Sequence, residues 1–211
     1  MIIEFAGMPR SGKSSSIDIV RDYFARMGYE VVVASEAARS CPFSRENRIE
    51  IASWAANHAL NTVLEASLHT TQKSIVLQDR GLFDALAFFH LLLIDHLIDK
   101  ETLDGFIRYF DNPIWLRRVD LVVLFDIAPE RAIDRDIAAY LGSGPGLITN
   151  KSRLMKLREI YNTIYCDHRL MRDYQMYRID TSMNELIDTA DKVVSLITSS
   201  PAFKNISRLV D

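Results

Sequence analysis

The chain has 211 residues, 48% of them apolar and 25% charged, with a formal net charge of −3. That length suits one domain with a sizeable core, or a core plus a small lid. The mild acidity excludes the basic footprint of a nucleic-acid binder or of an anionic-membrane binder. No apolar run is long enough to span a bilayer, since the longest candidate, residues 83–93, is broken by Asp84 and His90. The chain enters a strand without a basic leader or apolar targeting segment, so a cytoplasmic location is expected. Cys41 and Cys166 belong to no paired motif and read as reduced thiols. The five histidines have no i,i+4 pair of the kind that forms a zinc helix, so no protein-ligated transition metal is expected.

In chain order, Ile2-Ile3-Glu4-Phe5-Ala6 reads as a short buried strand. Gly7-Met8-Pro9-Arg10-Ser11-Gly12-Lys13-Ser14 follows, matching Gly-x4-Gly-Lys-Ser/Thr, the Walker A phosphate loop. Gly7 and Gly12 let the backbone turn its N–H groups inward around a polyphosphate. The helix that follows adds its unpaired N–H groups and the positive end of its dipole. Lys13 is placed to reach the outer phosphates, and Ser14 to ligate Mg²⁺. The expected ATP contacts are Gly7, Pro9, Arg10, Ser11, Gly12, Lys13, Ser14 and Ser15.

A helix is predicted from 14 to about 27, with Ile17, Val20, Phe24 and Met27 on its apolar face and Gly28 as its stop. Val31-Val32-Val33-Ala34 reads as a second buried strand ending at Ser35-Glu36. Strand, helix and strand in that order imply a parallel sheet, with ligands gathered beyond the carboxyl ends of its strands. One long helix or two shorter ones are predicted over 45–70. Ile75-Val76-Leu77 is a third buried strand, stopping at Asp79-Arg80-Gly81, and another helix follows from Leu82. A weaker helix covers 103–110, ended by Asn112-Pro113. A fourth strand, 121–125, ends at Asp126. Pro129 opens a helix carrying Arg131 and Arg135. Residues 142–146 form a glycine-rich flexible stretch, followed by a long helix over about 149–174. The predicted fifth strand is 176–180, and the last helix spans about 184–197. The tail from 199 carries no clear pattern.

An acidic residue after an apolar strand commonly holds Mg²⁺ through water opposite a phosphate loop, which makes Asp79 the second metal candidate. Arg80 beside it can stabilise charge on a transferring phosphoryl group. The plain alternative is a turn with a solvated ion pair.

The phosphate loop, the Asp79-Arg80 corner and a late arginine-bearing segment together resemble the P-loop nucleoside and nucleotide kinases, among them the adenylate, thymidylate and deoxynucleoside kinases. Glu36-Ala37-Ala38-Arg39 with Asp79-Arg80-Gly81 and Asp84-Ala85-Leu86-Ala87 is similar to ATPases grouped near thymidylate kinase and the ribosylnicotinamide kinases. The resemblance implies an α/β, three-layer P-loop NTPase fold: a five-stranded parallel sheet with helices on both faces, in a single domain. It also implies a small lid at about 136–153 and an acceptor-covering helical region at about 41–70. Arg10 stands where one class of thymidylate kinases carries an arginine inside the loop. Pro9 replaces the aspartate those enzymes have before it, which speaks against thymidylate itself.

Glu36 suits a carboxylate base near an attacking sugar hydroxyl, whereas Arg39 suits an acceptor that is itself a phosphate. Both acceptors stay open, with the lean toward the hydroxyl; an i,i+3 helical ion pair is the bland alternative. Lys13, Arg10, Glu36, Asp79, Arg80, Arg131 and Arg135 are the catalytic candidates. Arg131 and Arg135 contact the donor by resemblance, or else face water beside Glu130, Asp134 and Asp136. Because residues 142–146 contain no arginine, cationic help would come from Arg10, Arg131, Arg135 or Arg153. Most cations on the helix after the lid are nevertheless expected to face water. Glu36, Arg39, Arg80 and Trp54 are the acceptor candidates. Trp54, Phe88 and Phe89 could stack a base, although aromatic residues so placed more often fill a core.

The leading reading is an ATP- and Mg²⁺-dependent phosphotransferase acting on a small nucleoside, nucleotide or related metabolite. The rival is a regulatory nucleotide switch. Its GTPase form is disfavoured because Asn150-Lys151-Ser152-Arg153 lacks the aspartate of the guanine-reading Asn-Lys-x-Asp motif. ATP or GTP preference and oligomeric state stay open, a homodimer included.

Overall fold

The computed structural model describes residues 1–37, 40–68, 73–143, 150–166 and 175–207. Five parallel strands run in the order β2-β3-β1-β4-β5. They are β1 (Ile2–Gly7), β2 (Glu30–Ala34), β3 (Ser74–Asp79), β4 (Leu121–Asp126) and β5 (Gln175–Asp180). β1, β3 and β4 hold the centre, and every residue in them is buried.

Successive side chains of a strand point to opposite faces, so each central strand feeds two cores. Ile3, Phe5, Leu77, Val123 and Phe125 pack on one face. There they meet α1 (Lys13–Arg26) and α8 (Leu186–Ser199). Ile2, Ala6, Val76, Val122 and Leu124 pack on the other. That second layer is α2 (Arg48–Ala66), α3 (Leu82–Ile94) and α7 (Lys151–Tyr165), with α4 (Lys100–Phe110) and α5 (Pro113–Leu116) beyond them. The result is a three-layer α/β fold with helices on both faces.

β1 and β3 are neighbours, yet the chain leaves them in opposite directions. β1 leads through α1 to β2 on one side of the sheet, and β3 leads through α3 to β4 on the other. The crevice this opens at the carboxyl ends of the two strands is where an open α/β sheet takes its ligand. The phosphate loop and the Asp79-Arg80 corner leave from those two ends.

Several predicted elements differ in detail. β2 is not a buried strand: it lies at the sheet edge, where Val32 and Val33 are exposed. A run of valines marks a strand but cannot tell an edge from a centre, because that depends on which strands later pair with it. α4 starts three residues earlier than predicted, since the Asp99 carboxylate accepts from the Thr102 N–H at 2.8 Å and caps it. The tail from Pro201 to Ser207 forms a further helix, α9, whose Phe203 ring packs tilted against those of Phe24 and Tyr29, each at 5.4 Å. α6 (Pro129–Ser143) runs into the glycine-rich stretch, of which residues 144–149 lie outside the described residues. α7 ends at Tyr165 rather than near 174; residues 167–174 are likewise outside them. Among the described residues, no helix is long and apolar enough to cross a membrane.

Candidate active site

Gly7 ends β1 at φ +126°, and a Cβ there would lie 2.2 Å from the Phe125 carbonyl oxygen. Only glycine fits, because the loop crosses directly over β4, where the Met8 N–H donates to that same carbonyl at 3.2 Å. Gly12, at φ +94°, starts α1 with no side-chain cap, leaving the first-turn N–H groups facing the loop interior. Lys13 is buried inside the loop, its Nζ donating to the carbonyls of Gly7 (2.9 Å) and Met8 (2.8 Å). Burial, and then the Arg80 charge, lower its pKa to about 7.

Ser14 Oγ donates to Asp79 Oδ2 at 2.6 Å, joining the start of α1 to the end of β3. The other oxygen, Asp79 Oδ1, is buried and has no hydrogen-bond partner among the described residues. A buried carboxylate oxygen left open beside a serine hydroxyl fits a hard cation held by oxygen. No group of three or more His, Cys, Asp or Glu that could hold a metal occurs among the described residues. A serine hydroxyl and one carboxylate match the one or two protein ligands that Mg²⁺ usually takes, its shell being completed by water and phosphate.

Arg80 anchors the opposite side. Its backbone takes φ +68° while its N–H donates to the Phe5 carbonyl at 3.1 Å. Glu4 makes this bend possible. Its buried carboxylate accepts from the N–H groups of Gly81 (3.1 Å), Phe83 (3.2 Å) and Asp84 (3.0 Å), capping α3 from within the sheet. Desolvation outweighs those three bonds and raises the Glu4 pKa to about 7. The Arg80 guanidinium pairs with Glu36 through Nε at 2.7 Å and with Asp84 through Nη1, and it lies 5.5 Å over the Phe88 ring. Burial opposes its charge, but Asp84 and Glu36 prevail and hold its pKa above the ordinary value. Asp84 also accepts from the Gly7 N–H (2.8 Å) and from the Tyr161 hydroxyl of α7 (2.7 Å). One buried carboxylate therefore ties the phosphate loop, the Arg80 corner and α7 together.

A third group comes from α6 and the turn after β5. Arg135 donates to the Thr181 carbonyl (2.8 Å) and the Arg10 carbonyl (3.2 Å), and Arg131 to the Ser182 carbonyl (3.2 Å). Arg10 pairs with Asp136 at 2.6 Å. Arg131 also reaches Asp134, at 3.6 Å, so its two sequence readings, donor side and solvated face, meet in one side chain.

These groups surround one cavity of about 1040 Å³. Its wall includes Pro9, Arg10, Ser11, Gly12, Lys13, Ser14, Ser15, Glu36, Asp79, Arg80, Arg131 and Arg135. Gly7 underlies it. Phe88 lines it, whereas Phe89 is core, stacked on Phe106 at 4.3 Å. Trp54 does not line it; its ring meets Phe43 at 6.5 Å on the outer side of α2. Arg39 lies outside the described residues. Arg153 does not simply face water, since it lines the cavity together with Arg45 and Arg48. The parts the motifs did not indicate are Glu4, Tyr161, Arg45, Arg48 and the linking role of Asp84. A lone carboxylate in an otherwise apolar strand was the one available signal, at Glu4.

No protein-family model matches the chain, and no curated protein matches it in sequence. Solved structures do match. Deoxyadenosine kinase from M. mycoides with bound dATP superposes with a TM-score of 0.70 at 15% identity, over 94% of this chain and 100% of that one. The same enzyme with bound dCTP gives 0.61 at 17% identity, over 93% and 97%. Thymidylate kinase from Candida albicans gives 0.66 at 14% identity, over 97% and 92%. With the parallel five-stranded sheet, these matches establish the P-loop nucleotide kinase fold.

Proposed function

We propose that this chain transfers the γ-phosphoryl group of ATP to a hydroxyl of a nucleoside, nucleotide or related metabolite. The observation that carries the reading is the Glu36–Arg80 pair, 2.7 Å apart on the cavity wall that also contains the phosphate loop. A carboxylate at that wall has a task if the attacking oxygen carries a proton, and none if the acceptor is already an anionic phosphate. A fold shared with a deoxyadenosine kinase supports a nucleoside-like acceptor. The cavity volume has room for a nucleotide and an acceptor together.

In this mechanism the loop amides and Lys13 hold the β- and γ-phosphates, and Lys13 exchanges its two carbonyl partners for phosphate oxygens. Ser14 and Asp79 would hold Mg²⁺, which when bound neutralises charge on the outer phosphates. Arg10, Arg131 and Arg135 cover the donor, and Arg80 faces the transferring group. Glu36 accepts the hydroxyl proton as the acceptor oxygen bonds to the γ-phosphorus. The bond from that phosphorus to the β–γ bridging oxygen breaks, and ADP leaves with the electron pair.

The test measures ADP release with and without a panel of nucleosides and nucleoside monophosphates. Strong stimulation by one acceptor supports the kinase, while acceptor-independent turnover or none points to a nucleotide switch. Glu36→Gln is expected to slow transfer by about 10²- to 10⁴-fold while leaving ATP affinity near its original value. Equal losses in both would remove Glu36 as the base.

A further inference from the structure

Away from the phosphate loop, the cavity wall carries positive charge that the reaction just described does not use. Arg48 opens α2 and Arg153 lies in the first turn of α7, and both line the cavity. Among the described residues the two share a single carboxylate, Asp95, which pairs with Arg48 and lies 3.8 Å from Arg153. Asp95 does not line the cavity, although both of its arginine partners do. Arg45, just before α2, adds a third guanidinium to the same wall.

Asp95 itself sits at the carboxyl end of α3, where the helix dipole disfavours an acid, so the arginines account for its position. Desolvation, followed by repulsion from Arg48, lowers the pKa of Arg153. Two half-buried arginines with one carboxylate between them leave an excess of charge, and guanidinium forks match a carboxylate or phosphate best. The neighbouring wall is apolar, formed by Ile51, Ala52 and Ala55 of α2 and by Leu91 and Leu92 of α3. In such surroundings an unneutralised cation gains most from an incoming anion.

Resting on the kinase reading above, we infer that the acceptor is an alcohol that also carries an anionic group, a carboxylate or a phosphate ester, bound by Arg48 and Arg153 away from the attacking hydroxyl. Asp95 competes with the acceptor's anion for the two arginines and yields part of its pairing when that anion arrives.

The binding arm of the test needs no turnover. With ADP and Mg²⁺ saturating the phosphate loop, ribose 5-phosphate is titrated against ribose by calorimetry, and glycerate against glycerol. The charged member of at least one pair is expected to bind and its neutral partner not to. The Arg48→Gln/Arg153→Gln double variant should weaken that binding by about ten- to a hundredfold. Asp95→Asn should tighten it by about two- to fivefold, because it removes the internal competitor. A purely structural ion-pair triad predicts the opposite sign for Asp95→Asn. Which pair binds identifies the anion as phosphate or carboxylate.

The turnover arm compares nucleosides with their 3′-monophosphates, which keep the 5′-hydroxyl free, and with their 5′-monophosphates. Preference for the 3′-monophosphate, lost in the double variant, supports the inference. Preference for the neutral nucleoside, untouched by the double variant, overturns it and leaves the kinase reading standing. Preference for the 5′-monophosphate, where the anion itself attacks, overturns it together with the role of Glu36. If neither this panel nor ribose 5-phosphate or glycerate is turned over, the kinase reading fails; a charged probe that binds and is lost in the double variant then keeps the anion subsite, and no charged probe bound overturns it as well.

Discussion

The half of the cavity around the Gly7–Ser14 loop and the half around Glu36, Arg80, Arg48 and Arg153 are held together by different means. Around the phosphate loop the key groups are backbone: a glycine pressed against β4, the first-turn amides of α1, and carbonyls that hold Lys13 and Arg135. On the other side the key groups are charged side chains from five separate elements. Glu36, Arg80, Asp84 and Tyr161 form one connected set, and Arg48, Asp95 and Arg153 form another. A backbone cradle is fixed by local φ and ψ values and tolerates changes around it. A side-chain network depends on every partner being present. The first half should therefore lose chemistry when altered, and the second should lose stability as well.

The largest effect expected is that of Lys13→Ala, which removes the one cation buried within the loop. Acceptor-stimulated ADP release should fall by about 10³-fold or more. The thermal melt should stay close to that of the parent, because the substitution takes away a desolvated ammonium and leaves the loop backbone intact. Turnover within tenfold of the parent would remove Lys13 from the site; a collapsed melt would mean that the loop is not a self-supporting cradle.

This contrast also explains what could be read in advance. A phosphate loop is a local object. Its glycines, lysine and serine lie within eight consecutive residues, so spacing alone identifies it, and the crevice between β1 and β3 follows from the strand–helix–strand pattern. Asp79 and Arg80 were legible for the same reason, being neighbours at a strand end. Arg48, Asp95 and Arg153 are separated by 47 and 58 positions in the chain, and nothing in the residues around each one singles it out. Arg153 reads as one of many cations on a helix until α7 is placed against α3. Trp54 illustrates the converse error. An aromatic residue on the predicted acceptor-covering helix suggests a stacking platform, but the phase of α2 turns Ala52 and Ala55 toward the cavity and Trp54 away from it.

A second prediction tests whether Asp84 joins the two halves. Asp84→Asn keeps an oxygen for Gly7 and Tyr161 but turns an amide toward the Arg80 guanidinium, leaving a buried cation with a single carboxylate partner. The cost should be about 3 kcal/mol, seen as a lower urea midpoint. Tyr161→Phe removes one hydroxyl donor to the same carboxylate and should cost about 1 kcal/mol. If the two variants lose equally, the ion pair between Arg80 and Asp84 contributes nothing beyond an ordinary hydrogen bond, and the link between loop and corner is weaker than the contacts suggest.

The effect that depends on pH belongs to Glu4, which caps the Arg80 bend from inside the sheet. Because burial raises its pKa from 4.5 to about 7, the folded protein keeps a proton that the unfolded chain releases between those values. The stability this contributes is fully present below pH 4.5 and is lost as the pH rises through about 7, with a slope of at most about 1.4 kcal/mol per pH unit. Asp84 on α3 is the charged neighbour that adds to the upward shift, while the three N–H donors oppose it. Glu4→Gln cannot titrate, and it points an amide N–H at a backbone N–H, so at pH 5 its urea midpoint should lie well below that of the parent. The gap should narrow between pH 5 and 7.5, as the parent loses the contribution that the variant never had. A gap constant across that range would show that Glu4 is already ionised in the folded protein and that its three backbone bonds outweigh its burial.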